Sequence, residues 1–147
     1  MNQEIRDQFN TLFGAWTSYT PAWTSSGTAP AIGNGTIAGR YMKIGRTVLC
    51  HINVIFGSTS TYGTGNYSFS LPATSANAGA TLVSSAQLLV TDRWGGEVVI
   101  GTNTTTCSPF FSSSATNTRL GWMTSALPET SASGTQLRMT FIYEAAS

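Results

Sequence analysis

Near the start of the chain the apolar positions recur at helical spacing. Ile5, Phe9, Leu12 and Phe13 fall at i, i+4, i+7 and i+8, one face of a helix. Glu4, Arg6, Asp7 and Asn10 occupy the remaining positions. Asn2 can cap the start, and Gly14 can end the helix in a left-handed conformation. A helix of about 12 residues is marginal alone in water. Its stripe needs a surface: its own domain, other copies about a symmetry axis, or a neighbouring protein.

From Trp16 onward the period changes from helix to strand. Trp16, Tyr19, Pro21 and Trp23 form an aromatic opening expected to run as an extended edge segment, because proline cannot sit in a central strand. Asn34-Gly35 signals a turn, and Thr36 to Ile44 alternates loosely with Ile37, Gly39, Tyr41 and Lys43 on one side. Gly45-Arg46 is a tight connection to the clearest strand, Thr47 to Phe56. There Val48, Cys50, Ile52, Val54 and Phe56 point one way, and Leu49, His51, Asn53 and Ile55 the other. One wholly apolar face and one mixed face suit a strand that meets the core on one side and another subunit or water on the other.

Gly57 to Gly65 reads as a loop, and Tyr67, Phe69 and Leu71 as a short strand ending at Pro72. Ala73 to Ala80 is small and polar. Thr81 to Thr91 is a strand region, and Trp94-Gly95-Gly96 is expected to turn into Glu97 to Thr102. Thr104 to Thr118 carries little signal. Gln136 to Tyr143 alternates again, with Leu137, Met139, Phe141 and Tyr143 on one side. The expected fold is all-β, an antiparallel β-sandwich of jelly-roll type with about eight strands. Residues 1–15 form its N-terminal helix and residues 16–147 the β domain.

Composition agrees with this pattern. Of 147 residues, 41% are apolar and only 9% charged, against a usual charged share of about 25%. The 18 Ser and 23 Thr must carry solubility. The net charge is +1, and only Arg40, Lys43 and Arg46 lie close together, which disfavours a nucleic-acid partner needing a basic stripe. No apolar run approaches the roughly 20 residues of a membrane span, so no membrane insertion is expected. The N-terminus lacks the basic start and apolar stretch of a signal peptide. Cys50, inside an apolar run, reads as a buried small hydrophobe rather than half of a disulfide with Cys107.

Catalytic chemistry finds few candidates. Asp92 and Glu97 are the only carboxylates close in sequence within the β region, and a glycosidase would need such a pair facing each other; solvated turn residues are the simpler account. His51 is the single histidine and lacks a triad partner at a recognisable spacing. Cys50 beside it points to the opposite face. One His and two distant Cys make no metal pattern. No enzyme, metal or cofactor is therefore expected. Trp16, Trp23, Trp94, Trp122, Tyr19 and Tyr62 could stack on sugar rings, although most aromatics are expected in core or interface. Tyr62 and Trp94 stand out because Gly-rich turns are expected around them.

Two stretches carry a resemblance. Trp16-Thr-Ser-Tyr-Thr-Pro-Ala-Trp23, with Ile32 to Tyr41 and Ile44 to Val48, resembles a module common in tail-fibre, minor-tail and related virion proteins of phages infecting actinobacteria. Gly57 to Pro72 and the ending Ser133 to Ala146 are similar in pattern, and Asn2 to Asn10 looks like the short helix that often precedes the module. The likeness covers residues 2 to 72 well and the C-terminal end less closely; residues 73 to 130 match only in character.

The resemblance implies a bacteriophage structural protein on the outer surface of the virion, made in the host cytoplasm and assembled as a homotrimer. It supplies no catalytic residues. Such a module usually ends a longer chain, so this one is expected to be a short stand-alone member or a fragment. A tail-fibre adhesion tip would present Ser58 to Thr64 and Asp92 to Gly96 to cell-wall glycan. A capsid decoration or head-fibre protein would anchor on other virion proteins through Ile5, Phe9, Leu12, Phe13, Trp16 and Trp23. A glycan-cleaving depolymerase, from a different class, would require Asp92 or Glu97.

Overall fold

The computed structural model describes residues 2–12, 14 and 16–147. One helix, α1 (Gln3–Leu12), precedes ten strands: β1 (Thr17–Tyr19), β2 (Trp23–Ser25), β3 (Thr36–Ile44), β4 (Thr47–Ile55), β5 (Tyr67–Ser70), β6 (Leu82–Leu89), β7 (Arg93–Ile100), β8 (Thr106–Ser112), β9 (Leu120–Trp122) and β10 (Gln136–Glu144). The fold is all-β and antiparallel with a short N-terminal helix, as the patterning required. Asn2 caps α1: its Oδ1 accepts from the Glu4 N–H at 3.2 Å.

The two layers of the sandwich arise from one continuous sheet, in the order β1-β3-β4-β10-β6-β7-β8-β5-β2, with β9 beside β8. The connectivity forces this sheet to curl. Flat, nine strands would span about 38 Å at ~4.8 Å per step. Yet β1 and β2, its two ends, are joined by residues 20–22 alone, a link of at most about 14 Å. The edges must therefore approach each other, and hydrogen bonds tie the link between them to β5, the neighbour of β2. The Ser70 N–H donates to the Ala22 carbonyl at 3.0 Å, and the Ala22 N–H to the Ser70 hydroxyl at 2.8 Å. The aromatic opening is thus two edge strands on opposite rims, with Pro21 in the link between them.

Alternation then places the core. Val48, Cys50, Ile52, Val54 and Phe56 are buried, as are Leu137, Met139, Phe141 and Tyr143 across the register Cys50 to Phe141. Tyr67, Phe69 and Leu71 close the core from the opposite wall. Gly39 makes room for the seam. The Tyr19 ring lies over it and donates its hydroxyl to the Ser70 carbonyl at 3.3 Å, and a Cβ at Gly39 would sit 2.3 Å from that ring. Gly39→Ala should therefore push Tyr19 off the seam and cost about 1–3 kcal/mol, read as a lower denaturation midpoint. An unchanged midpoint would mean the ring has a second place to go.

Two expectations fail for identifiable reasons. Trp94-Gly95-Gly96 is not a turn; it lies inside β7, and the chain reverses before it, at residues 90–92. Gly96 is needed because β8 passes close by: a Cβ there would meet the Phe110 carbonyl at 2.3 Å and the Phe111 ring at 2.4 Å. The silent stretch Thr104 to Thr118 holds β8, which buries Cys107 and Phe111. Its Pro109 sits where the neighbour on one side changes from β5 (paired at Thr106 and Cys107) to β9 (paired from Phe110). There a strand tolerates the missing N–H.

Candidate functional site

The described residues of the apolar stripe of α1 remain partly exposed. Ile5, Phe9 and Leu12 are 45%, 53% and 41% exposed. Phe13, the fourth member of the expected stripe, lies outside the described residues. The helix faces the β3–β4 hairpin across an open groove lined on its side by Asn2, Gln3, Glu4, Asp7, Gln8 and Leu12, and on the hairpin side by Ile44 and Gly45. Leu12 of the stripe thus lines this groove among polar neighbours, and Ile5 does not. Trp16, the next expected anchor, lies on the outer face of the sheet, stacked on His51 with ring centroids 4.7 Å apart. His51 also has Thr140 Oγ1 within 3.1 Å of its Nδ1, so a ring contact and a hydrogen bond both hold it in place.

Trp23, also expected as an anchor, lies in the core of the described chain. It is 8% exposed and packs against Phe56, Tyr67 and Phe69 with ring centroids 5.0, 5.2 and 6.4 Å away. β2 ends the sheet path, but the curl turns its apolar side into the core.

The two rings expected in Gly-rich turns are also held inward. Tyr62 meets Phe56 edge-on at 5.3 Å, and its carbonyl accepts from the Tyr67 hydroxyl at 2.7 Å. Its loop is pinned where Thr61 and Ala31 exchange backbone hydrogen bonds of 2.8 Å. Trp94 is half-buried in β7 and donates its indole N–H to Glu129 at 2.9 Å. That donor, with others from Thr91 and Asp92, holds the Glu129 carboxyl below the usual carboxylate range. The exposed ring is instead Trp122, 44% exposed and leaning on Phe110 at 4.6 Å, with Leu120 beside it. A three-residue strand carries too few alternations to be found by period.

The outer face of the sheet holds the other apolar residues that patterning missed. Ile142 is 57% exposed and Val83 56%. Ile142 stands opposite Leu49, and Val83 opposite Val99. The mixed face read for β4 thus continues across its neighbours.

The two candidate carboxylates do not converge. Asp92 and Glu97 are separated by nearly the length of β7, on the order of 15 Å at ~3.3 Å per residue, against about 5–9.5 Å between the carboxyls of a glycosidase. Among the described residues no group of three His, Cys, Asp or Glu is placed to hold a metal, and no helix is long and apolar enough to cross a membrane.

Cys50 and Cys107 are buried free thiols. Burial pushes Cys50 up to about 11 and Cys107 up to about 12, from 9.0. Burial likewise raises Tyr67 to about 12 from 10.0, and Tyr19 and Tyr143 are raised as well. The unfolded chain loses these protons first. The stability they contribute is whole below about pH 9 and is lost as pH rises through the folded-state values of about 11 to 12. Melting temperature should therefore fall over pH 9–12. At neutral pH neither thiol should react with a disulfide reagent until denaturant is added. Fast labelling of the native protein would contradict this burial.

Set against family models, curated proteins and solved structures, the chain has no significant match in any of the three comparisons.

Proposed function

We propose that this chain is a non-enzymatic bacteriophage structural protein, exposed on the outer surface of the virion and assembled as a homotrimer. The observation that carries the reading is the exposure of Ile5, at 45%, on a helix that precedes a β domain with a filled core of its own. A marginal helix with an exposed stripe is a coupling element, stable when a partner covers it. The low charge, the many hydroxyls and the likeness to tail-fibre and minor-tail modules support a shape-presenting role.

Within that role the tail-fibre adhesion tip is the first reading and capsid decoration the second. One observation favours the second. Tyr62 and Trp94, the rings an adhesin was expected to show to glycan, are held against the domain. Labelled electron micrographs of virions separate the two, by signal on the tail or on the capsid. Absence of label from particles would overturn both. Sedimentation of the purified chain tests the trimer.

A further inference from the structure

We infer that the outer face of β7 holds a binding site for an acidic saccharide, with Gly95 as its floor. This deepens the adhesion-tip reading above by naming a surface and the chemistry of its ligand, and it rests on that reading. Gly95 and Gly96 stand side by side in the strand, and packing explains only one of them. Gly96 admits β8, whereas a Cβ at Gly95 would meet nothing within 4 Å. A glycine inside a strand weakens it, and commonly marks a place where a backbone or a ligand comes close. No backbone does so here. The bare position is left for a ligand.

The charge beside this floor sets the sign of the ligand. Gln87 of β6 pairs with Gly95, and Arg138 of β10 pairs with Gln87. The Gln87 Oε1 accepts from Arg138 at 3.1 Å and from Arg93 at 3.3 Å. Arg138 donates to Gln136 Oε1 as well. Two guanidiniums thus converge on a neutral amide oxygen, and among the described residues neither has a carboxylate within salt-bridge reach. Each carries five donors in a fixed fork, so donors remain for a ligand. Their like charges repel. A carboxylate set between them relieves the repulsion, with hydrogen bonds roughly twice as strong as neutral ones.

On the other side of Gly95 stand the rings. Glu97, two residues further along the same face, pairs with Phe110, and Phe110 with Trp122. The exposed side of Trp122, backed by Phe110, offers a flat apolar surface to the C–H face of a sugar ring. Gln87 and Phe110 are two strand steps apart, about 10 Å. A ligand with a carboxylate at one end of that span and a ring face at the other is an acidic oligosaccharide. Glu97, between the two, accepts from sugar hydroxyls. An inorganic anion would use the guanidiniums and leave Trp122 idle.

The test titrates the whole chain by NMR with trigalacturonate, with its neutral methyl ester, and with sodium sulfate. Trigalacturonate should saturate, and added salt should weaken it. The ester should bind at least about 10-fold more weakly, as should trigalacturonate to Arg138→Gln, which loses a charged donor. Trp122→Ala should weaken trigalacturonate by about 10-fold and leave sulfate unchanged, and Trp122→Phe should restore part of the loss. Gly95→Val fills the floor in open space with a strand-favouring residue, so it should keep or raise the melting temperature and abolish binding. Ester bound as tightly as the acid overturns the proposal, and so does binding that survives Gly95→Val. Sulfate bound as tightly as trigalacturonate, with Trp122→Ala silent, reduces the surface to an anion site and also overturns it. No saturation by trigalacturonate removes the saccharide while label on virion tails would still uphold the adhesion reading. Binding intact with label only on capsids would remove that reading instead.

Discussion

Trp23→Ala should unfold the β domain more readily than any change on its surface, at a cost of about 3–5 kcal/mol. The indole fills the space between Phe56, Tyr67 and Phe69, with its plane nearly parallel to that of Phe69 (3°). Removing it leaves a cavity lined by Phe56, just past β4, and by Tyr67 and Phe69 on β5, and β5 cannot move into it without disturbing the β2–β5 pairing. For a domain of about 150 residues each kcal/mol is worth roughly 2–4 °C of melting temperature, so a fall of about 10 °C is expected. Trp23→Phe supplies the contrast. It keeps most of the ring and removes an indole N–H that has no hydrogen-bond partner among the described residues. A buried donor without a partner is itself destabilising, so this variant should lose less than about 1.5 kcal/mol. Both variants should retain the oligomeric state. If Trp23→Ala instead dissolved the assembly while the melt stayed put, the ring would be an anchor and its placement in the core wrong.

Ile5→Asp should do the opposite. On the free chain the position is exposed, and surface changes of this kind usually stay within about 0.5 kcal/mol. The melt of the β domain should hardly move. In the assembly the same carboxylate would be carried into an apolar contact without a partner, a penalty of ~3 kcal/mol or more. That corresponds to a dissociation constant weakened about 100-fold. Sedimentation over a concentration series reads this directly. An oligomer of unchanged strength would remove α1 from the contact, whatever the β domain does.

These two residues show where the chain was legible. Both were named from the sequence as anchors, one from helical spacing and one from an aromatic-rich segment. The spacing argument for Ile5 concerned the local geometry of ten residues, and the helix has the expected span and cap. The argument for Trp23 concerned what lay across from it. That depended on β5, more than forty residues later, and on a curl driven by a three-residue link. The same division separates β4 and β10, whose inner faces were correct at every position, from β8 and β9, which were missed. Cys107, Pro109 and Phe111 do alternate inward, but Ser108 between the first two is buried as well, and Pro109 itself reads as a breaker.

Tyr62 and Trp94 depend in the same way on what lies across from them. Glycines nearby suggested exposed turns. One of those glycines is there because a neighbouring strand passes within contact distance, and close approach has no local signature. Trp122 and Ile142, which are exposed, lie in strands too short or too regular to mark their outer face as special.

Period alone therefore determined the class of fold, the helix at the start, and which side of β4 and β10 faces inward, because alternation follows from backbone geometry residue by residue. The tertiary structure decided which rings are covered and which apolar rows meet water. Exposure is a property of the element opposite, and the curl of the sheet selects that element.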